Sequence, residues 1–220
     1  MVQKKEEDVP KRRGRPRAYD PKTALARAAE TFWKAGYAGT SLDDLSEATG
    51  MNRPSLYAAF GDKRDLYLQT LEHYREESRA LARAALADDP PLKVFLKRFY
   101  DKALDLYLTG EGGARGCYTI GTAATQATVD SKVRAFLAEG VRNSDAFLAE
   151  QFSRARDRGE IPRSADPAML AQLCHRHAAH FGSPCPRRAA APRACRAGRN
   201  GDRCDLRAGA LMPAAIDARR

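Results

Sequence analysis

A chain of 220 residues, 43% hydrophobic and 30% charged, is long enough to bury a core in one domain or in two small ones. It has no apolar run of membrane-spanning length and no apolar segment behind its charged N-terminus, so neither an anchor nor a secretory leader is expected and the chain reads as soluble and cytoplasmic. The net charge of +10 points to a polyanionic partner, but it sits at the two ends: residues 1–20 hold seven basic against four acidic side chains, residues 174–220 hold ten arginines against three aspartates, and residues 21–173 are neutral.

Residues 1–19 are charged, lack an apolar period and read as a disordered basic arm. Within them KRRGRPR (Lys11 to Arg17) sets Arg13, Arg15 and Arg17 around Gly14 and Pro16. This resembles the core of an AT-hook, whose extended backbone lays arginines along a narrow, strongly negative minor groove. A basic arm that meets phosphates without sequence preference is the plainer alternative.

Asp20-Pro21 is an N-cap followed by a first-turn proline, opening a helix through Ala35. Leu25, Ala28, Ala29 and Phe32 form its inner face, and Gly36 ends it. Trp33 and Tyr37 read as packing residues. Ser41 to Thr49 is a short helix with Leu42, Leu45 and Ala48 at helical spacing and a capping box from Ser41 and Asp44. Gly50 lets the chain stop and turn sharply. Asn52 caps a second short helix, Arg53 to Phe60, with Pro54 in its first turn. Leu56 and Phe60 face inward there, which leaves Arg53, Ser55, Tyr57 and Ala58 outward. Two short helices around a glycine turn, the second with a polar tip, have the geometry that fits a DNA major groove.

Asp62 and Asp65 cap the next helix, Lys63 to about Leu86, whose core candidates are Leu66, Leu71 and Tyr74. Asp88 to Pro91 break it. From Leu92, the residues Phe95, Leu96, Phe99, Tyr100, Ala103, Leu104 and Tyr107 recur at three and four. After a loop from Thr109 to Gly116, Cys117 to Ala127 reads as a buried helix of small residues. Asp130 to about Arg158 is a long helix with a heptad-like seam of Val133, Leu137, Val141, Ser144, Leu148 and Gln151. Asp166-Pro167 begins another. No strand period occurs before residue 174, so the expected fold is all-α, with about nine helices.

At Cys174 the composition changes. Residues 174–220 hold four of the five cysteines, three of the four histidines and no lysine, with no clear helical period. Such text is what a GC-rich gene yields out of frame. Codons chosen to encode Cys174 to Arg187, read one base later, give the helix-prone string AIGTLHTLAVRARA, and sequencing the gene across Gln172 to Cys174 tests a frame shift there. Cys174, His177, His180 and Cys185 are too loosely spaced for a zinc site, and a disulfide framework does not suit a cytoplasmic chain.

The stretch AAETFWKAGYAGTSLDDLSEATGMNRPSLYAAFGDKRDLY resembles the DNA-binding domain of the TetR-type (tetracycline-repressor-like) bacterial transcription regulators. Phe32, Gly36, Thr40, Leu45, Gly50, Leu56, Tyr57, Phe60, Lys63 and Leu66 fall where that family places them. The resemblance is close over about residues 12–86, holds by helical outline over 87–173, and is lost after Leu173, where the family continues in a long helix of the dimer interface. It implies a disordered arm (1–19), a helix-turn-helix domain (20–65), a helical ligand-binding and dimerisation domain (66–173) and an atypical tail (174–220). It also implies base contacts from Asn52, Arg53, Pro54, Ser55 and Ala58, and phosphate contacts from Thr40, Ser41, Tyr57 and Lys63. The implied partners are a palindromic operator, a small-molecule effector and a second copy, joined through the 130–158 helix and the helix starting at Asp166.

Candidate pocket residues are Phe99, Tyr107, Cys117, Tyr118, Phe136 and Phe147, although an aromatic at helical spacing is more often plain core. Cys117 follows a glycine-rich loop, where some members of that family carry an oxidant-sensing thiol; a buried inert thiol is the plainer state. No phosphate loop, nucleophile motif or paired-carboxylate motif is present, so neither an enzyme nor a cofactor is expected. An architectural DNA binder using the basic ends, and a regulator that folds but cannot dimerise, are the alternatives.

Overall fold

The computed structural model describes residues 20–108 and 115–182, the side chains of residues 180–182 excepted. The arm with Arg13, Arg15 and Arg17, most of the Thr109 to Gly116 loop, and the tail beyond Gly182 lie outside the described residues. Eight α-helices and no strand occur among those residues: α1 (Pro21–Gly39), α2 (Leu42–Thr49), α3 (Arg53–Phe60), α4 (Lys63–Ala85), α5 (Leu92–Leu108), α6 (Ala124–Gln126), α7 (Ser131–Asp157) and α8 (Pro167–Gly182). A π-helical turn, Thr119–Ala123, leads directly into α6.

Local chemistry sets most of these boundaries. The Asp20 carboxylate accepts from the backbone N–H groups of Lys22 and Thr23, satisfying donors that the first turn of α1 leaves free. Gly36 interrupts α1 at φ 71°, ψ 172°, so the helix kinks where the sequence has it end and runs on to Gly39. At α2 the reciprocal cap is complete: Asp44 N–H donates to Ser41 Oγ at 3.1 Å, and Ser41 N–H to Asp44 Oδ2 at 2.7 Å. Ser41→Ala should therefore cost about 1 kcal/mol of unfolding free energy, read from urea denaturation. Asp62 and Asp65 repeat the device at α4.

Two apolar clusters hold the molecule. The first joins Phe32, Leu45, Met51, Leu56 and Phe60 to Leu66, Tyr67, Leu71 and Tyr74 of α4, and continues into Cys117, Tyr118, Ala123 and Val133. The three N-terminal helices and the larger helical body thus share one core across α4. The second cluster packs Ala85, Leu92, Phe95, Leu96 and Tyr100 against Leu148, Phe152, Ala155, Ala171, Cys174 and Ala178 of α7 and α8. On the expected α7 seam, Val133, Leu148 and Gln151 are buried, whereas Val141 is exposed.

The helical period does not stop at Cys174. Helix α8 continues to Gly182, with Ala171, Cys174 and Ala178 buried along one face. These are small side chains, so the stripe is weakly hydrophobic and easily lost in Arg/Ala-rich text. Cys174 receives a hydrogen bond at Sγ from the Tyr100 hydroxyl (3.2 Å), and burial pushes its thiol up to about 11. His175 pairs with Asp145, and His177 lies against the same Tyr100 ring whose hydroxyl Cys174 accepts from.

Candidate nucleic-acid interface

Helix α3 is held by its inner side and presents its outer side. Leu56 and Phe60 are buried at 3% and 7%, while Arg53, Pro54, Tyr57 and Ala58 are exposed. Gly50, left-handed at φ 68°, returns the chain from α2, and Met51 plugs the turn. Asn52 Oδ1 accepts from Ser55 N–H at 2.9 Å, so of the Asn52 amide only the nitrogen remains for a base or phosphate.

Arg53 is not a free probe. Its Nε and Nη2 meet Asp43 Oδ1 at 2.9 and 2.6 Å, and Nη2 meets Oδ2 at 2.6 Å, across the turn between α2 and α3. The bond to Asp43 raises the already high pKa of the guanidinium. Both partners are more than half exposed, so the contact is a weak ion pair that a guanine edge can displace.

Of two expected phosphate contacts, Thr40 is turned inward and Ser41, though exposed, has its hydroxyl engaged. Thr40 is buried at 1% and its hydroxyl donates to the Gly36 carbonyl at 2.7 Å. Ser41 spends its hydroxyl on Asp44, and Asp43 and Asp44 place two carboxylates in the first turn of α2, where they repel a phosphate. Tyr57, about half exposed, remains available. Lys63 sits 4.4 Å above the Tyr37 ring; burial pulls its ammonium below the ordinary value, and Asp44 opposes that shift.

Behind this face, α4 links the short helices to a cavity of about 850 Å³. Phe99, Tyr107, Cys117, Phe136 and Phe147 all line it. Tyr118 does not: it is wholly buried between α4 and the π-helical turn. Its hydroxyl meets Thr70 Oγ1 at 2.8 Å, and Tyr67 meets Thr122 Oγ1 at the same distance. Each threonine already gives its proton to a backbone carbonyl, so in both pairs the tyrosine donates. Tyr74 donates to Cys117 Sγ at 3.5 Å, and burial drives the hydroxyls of Tyr67, Tyr74 and Tyr118 upward, Tyr67 to about 12. Trp33 of α1 packs on Tyr74 and Tyr118, and Arg115 bridges to Glu30. Tyr67, Thr70 and Thr122 were invisible to sequence reasoning as a group, because their pairing spans about fifty residues.

An outward-facing second helix on a glycine turn, fixed through one long helix to a body with a lined cavity, defines a helix-turn-helix regulator. Residues 24–70 match the profile of bacterial regulatory proteins of the tetR family. The chain is 32% identical over 165 residues to the HTH-type transcriptional repressor ComR of Escherichia coli (strain K12), covering 75% of this chain and 79% of ComR. It is 34% identical over 149 residues to the HTH-type transcriptional regulator YezE of Bacillus subtilis (strain 168), covering 67% and 76%. A cysteine mutant of the TetR family regulator CifR, solved with 26-base-pair operator DNA, superposes with a TM-score of 0.69 at 31% identity, over 77% of this chain and 88% of CifR. The chain belongs to the TetR family of bacterial transcription regulators and is not an enzyme.

Proposed function

We propose that the protein is a ligand-responsive repressor that binds a palindromic operator as a homodimer and is released by a small molecule. The observation that carries this reading is the orientation of α3, with Leu56 and Phe60 inward and Arg53, Pro54, Tyr57 and Ala58 outward. Residues 20–65 form the reading head, and the sensing body runs from residue 66 through α8, past the boundary at 173 that the sequence suggested. Arg53, Ser55 and the Asn52 amide address base edges, Pro54 and Ala58 offer apolar contact to thymine methyls, and Tyr57 and Lys63 hold phosphates. The arm, through Arg13, Arg15 and Arg17, reaches the adjacent minor groove. Val141, Met169 and Leu173 are large apolar side chains left exposed on α7 and α8, which suits a second copy packing there. A cytoplasmic location agrees with operator binding, and no helix among the described residues is long and apolar enough to cross a membrane.

The effector works by preferring the arrangement of heads that does not fit DNA. A footprint on the DNA flanking the gene, at near-physiological salt, tests the reading. A protected, roughly two-fold-symmetric site is expected; diffuse protection with a steep salt dependence would instead mark an architectural binder. Lys63→Ala should weaken cognate and scrambled DNA alike and reduce the salt slope by about 1, measured by titration across a salt series.

A further inference from the structure

The charges around the cavity are strongly one-sided. Arg75, Arg79, Arg83, Lys102 and Arg176 line it, against a single carboxylate, that of Asp145. The cations differ in how far they are already neutralised. Arg75 is held by Glu72 and lies 4.0 Å above the Phe136 ring, and Arg79 is held by Glu76 at 2.6 Å. Lys102 of α5, half-buried, and Arg176 of α8, exposed, are in no ion pair among the described residues. The lone acid, by contrast, is engaged: Asp145 Oδ1 meets His175 Nδ1 at 2.7 Å. Much of the remaining lining is apolar or aromatic, Phe99, Tyr107, Ile120 and Phe136 among it, with uncharged polar side chains from Ser78, Thr119, Asn143, Ser144 and Gln172.

A cationic occupant would meet Lys102 and Arg176 with no carboxylate between them and one lining acid already taken, and like charges repel. A neutral occupant would leave Lys102 and Arg176 without counter-charge. From this distribution we infer that the cavity takes a hydrophobic organic anion, an aromatic or alkyl carboxylate, with its apolar body against Phe99, Tyr107 and Phe136 and its carboxylate between Lys102 and Arg176. The inference rests on the cavity being the effector site and names the chemistry of that effector. A volume of about 850 Å³ accommodates two or three fused rings or a medium alkyl chain.

Three ligands on one skeleton test it: 2-naphthoate, 2-naphthylmethanol and 2-naphthylmethylammonium, titrated calorimetrically into the full chain. Naphthoate should bind at least about ten-fold more tightly than the other two, the increment expected of one partly desolvated ion pair. The Lys102→Gln/Arg176→Gln double variant should lose that preference, with its thermal midpoint and its operator footprint unchanged. Tighter binding of the alcohol or the ammonium, no binding of any, or a preference that survives the double variant would overturn the inference. The ligand-free footprint keeps the two readings apart. A protein that protects its operator but rejects naphthoate refutes only the anion; one that binds naphthoate without a footprint refutes only the regulator.

Discussion

Phe32→Ala should lower the unfolding free energy by about 3–5 kcal/mol, a large share of the roughly 5–15 kcal/mol that domains of this kind possess. The ring is wholly buried. It stands edge-on to Tyr67 at 5.0 Å and near-parallel to Tyr37 at 6.1 Å, in the same cluster as Leu45 of α2 and Leu56 and Phe60 of α3. Removing it takes away the transfer free energy of the ring and leaves a void walled by α1, α2, α3 and α4, which pack on one another and can relax only partly. Urea denaturation should show a lower midpoint with an unchanged slope, because the surface exposed on unfolding is nearly the same. The head and the body share this core, so both should lose stability together. A loss under about 1 kcal/mol, or a separate early transition of the head alone, would contradict the shared core.

What was legible in the sequence was local. Asp20, Ser41, Asn52 and Asp62 cap their helices through side-chain oxygens two or three residues from their partners. Gly36 and Gly50 mark turns that need a positive φ. Signals of this range fix the three N-terminal helices, and the outward face of α3 follows from Leu56 and Phe60. The sensing body depends on distant pairings. Tyr118 reads like its aromatic neighbours, yet Thr70, forty-eight positions away, draws its hydroxyl into the α4 seam and out of the cavity. The commitment of Thr40 to Gly36 was within reach, since a threonine four residues after a carbonyl can bond back to it. The α8 face of Ala171, Cys174 and Ala178 was also present as a three-and-four spacing, hidden by its small side chains.

Arg53→Ala should weaken operator binding by roughly 5- to 150-fold and flatten discrimination at one base pair, leaving scrambled DNA much less affected. The partner found by the structure refines this. Asp43 grips Nε and Nη2, so Arg53 must release that carboxylate, or turn its remaining edge outward, before it can meet a guanine in bidentate fashion. Asp43 also carries its negative charge toward any phosphate near α2. Asp43→Asn should therefore tighten binding to all DNA through the lost repulsion, and should lower the ratio of cognate to scrambled affinity because Arg53 becomes free to settle on any phosphate. A double-mutant cycle of Asp43→Asn and Arg53→Ala separates the two contributions. Coupling confined to the cognate site assigns Asp43 to positioning the Arg53 fork; equal coupling on cognate and scrambled DNA would reduce it to a local charge.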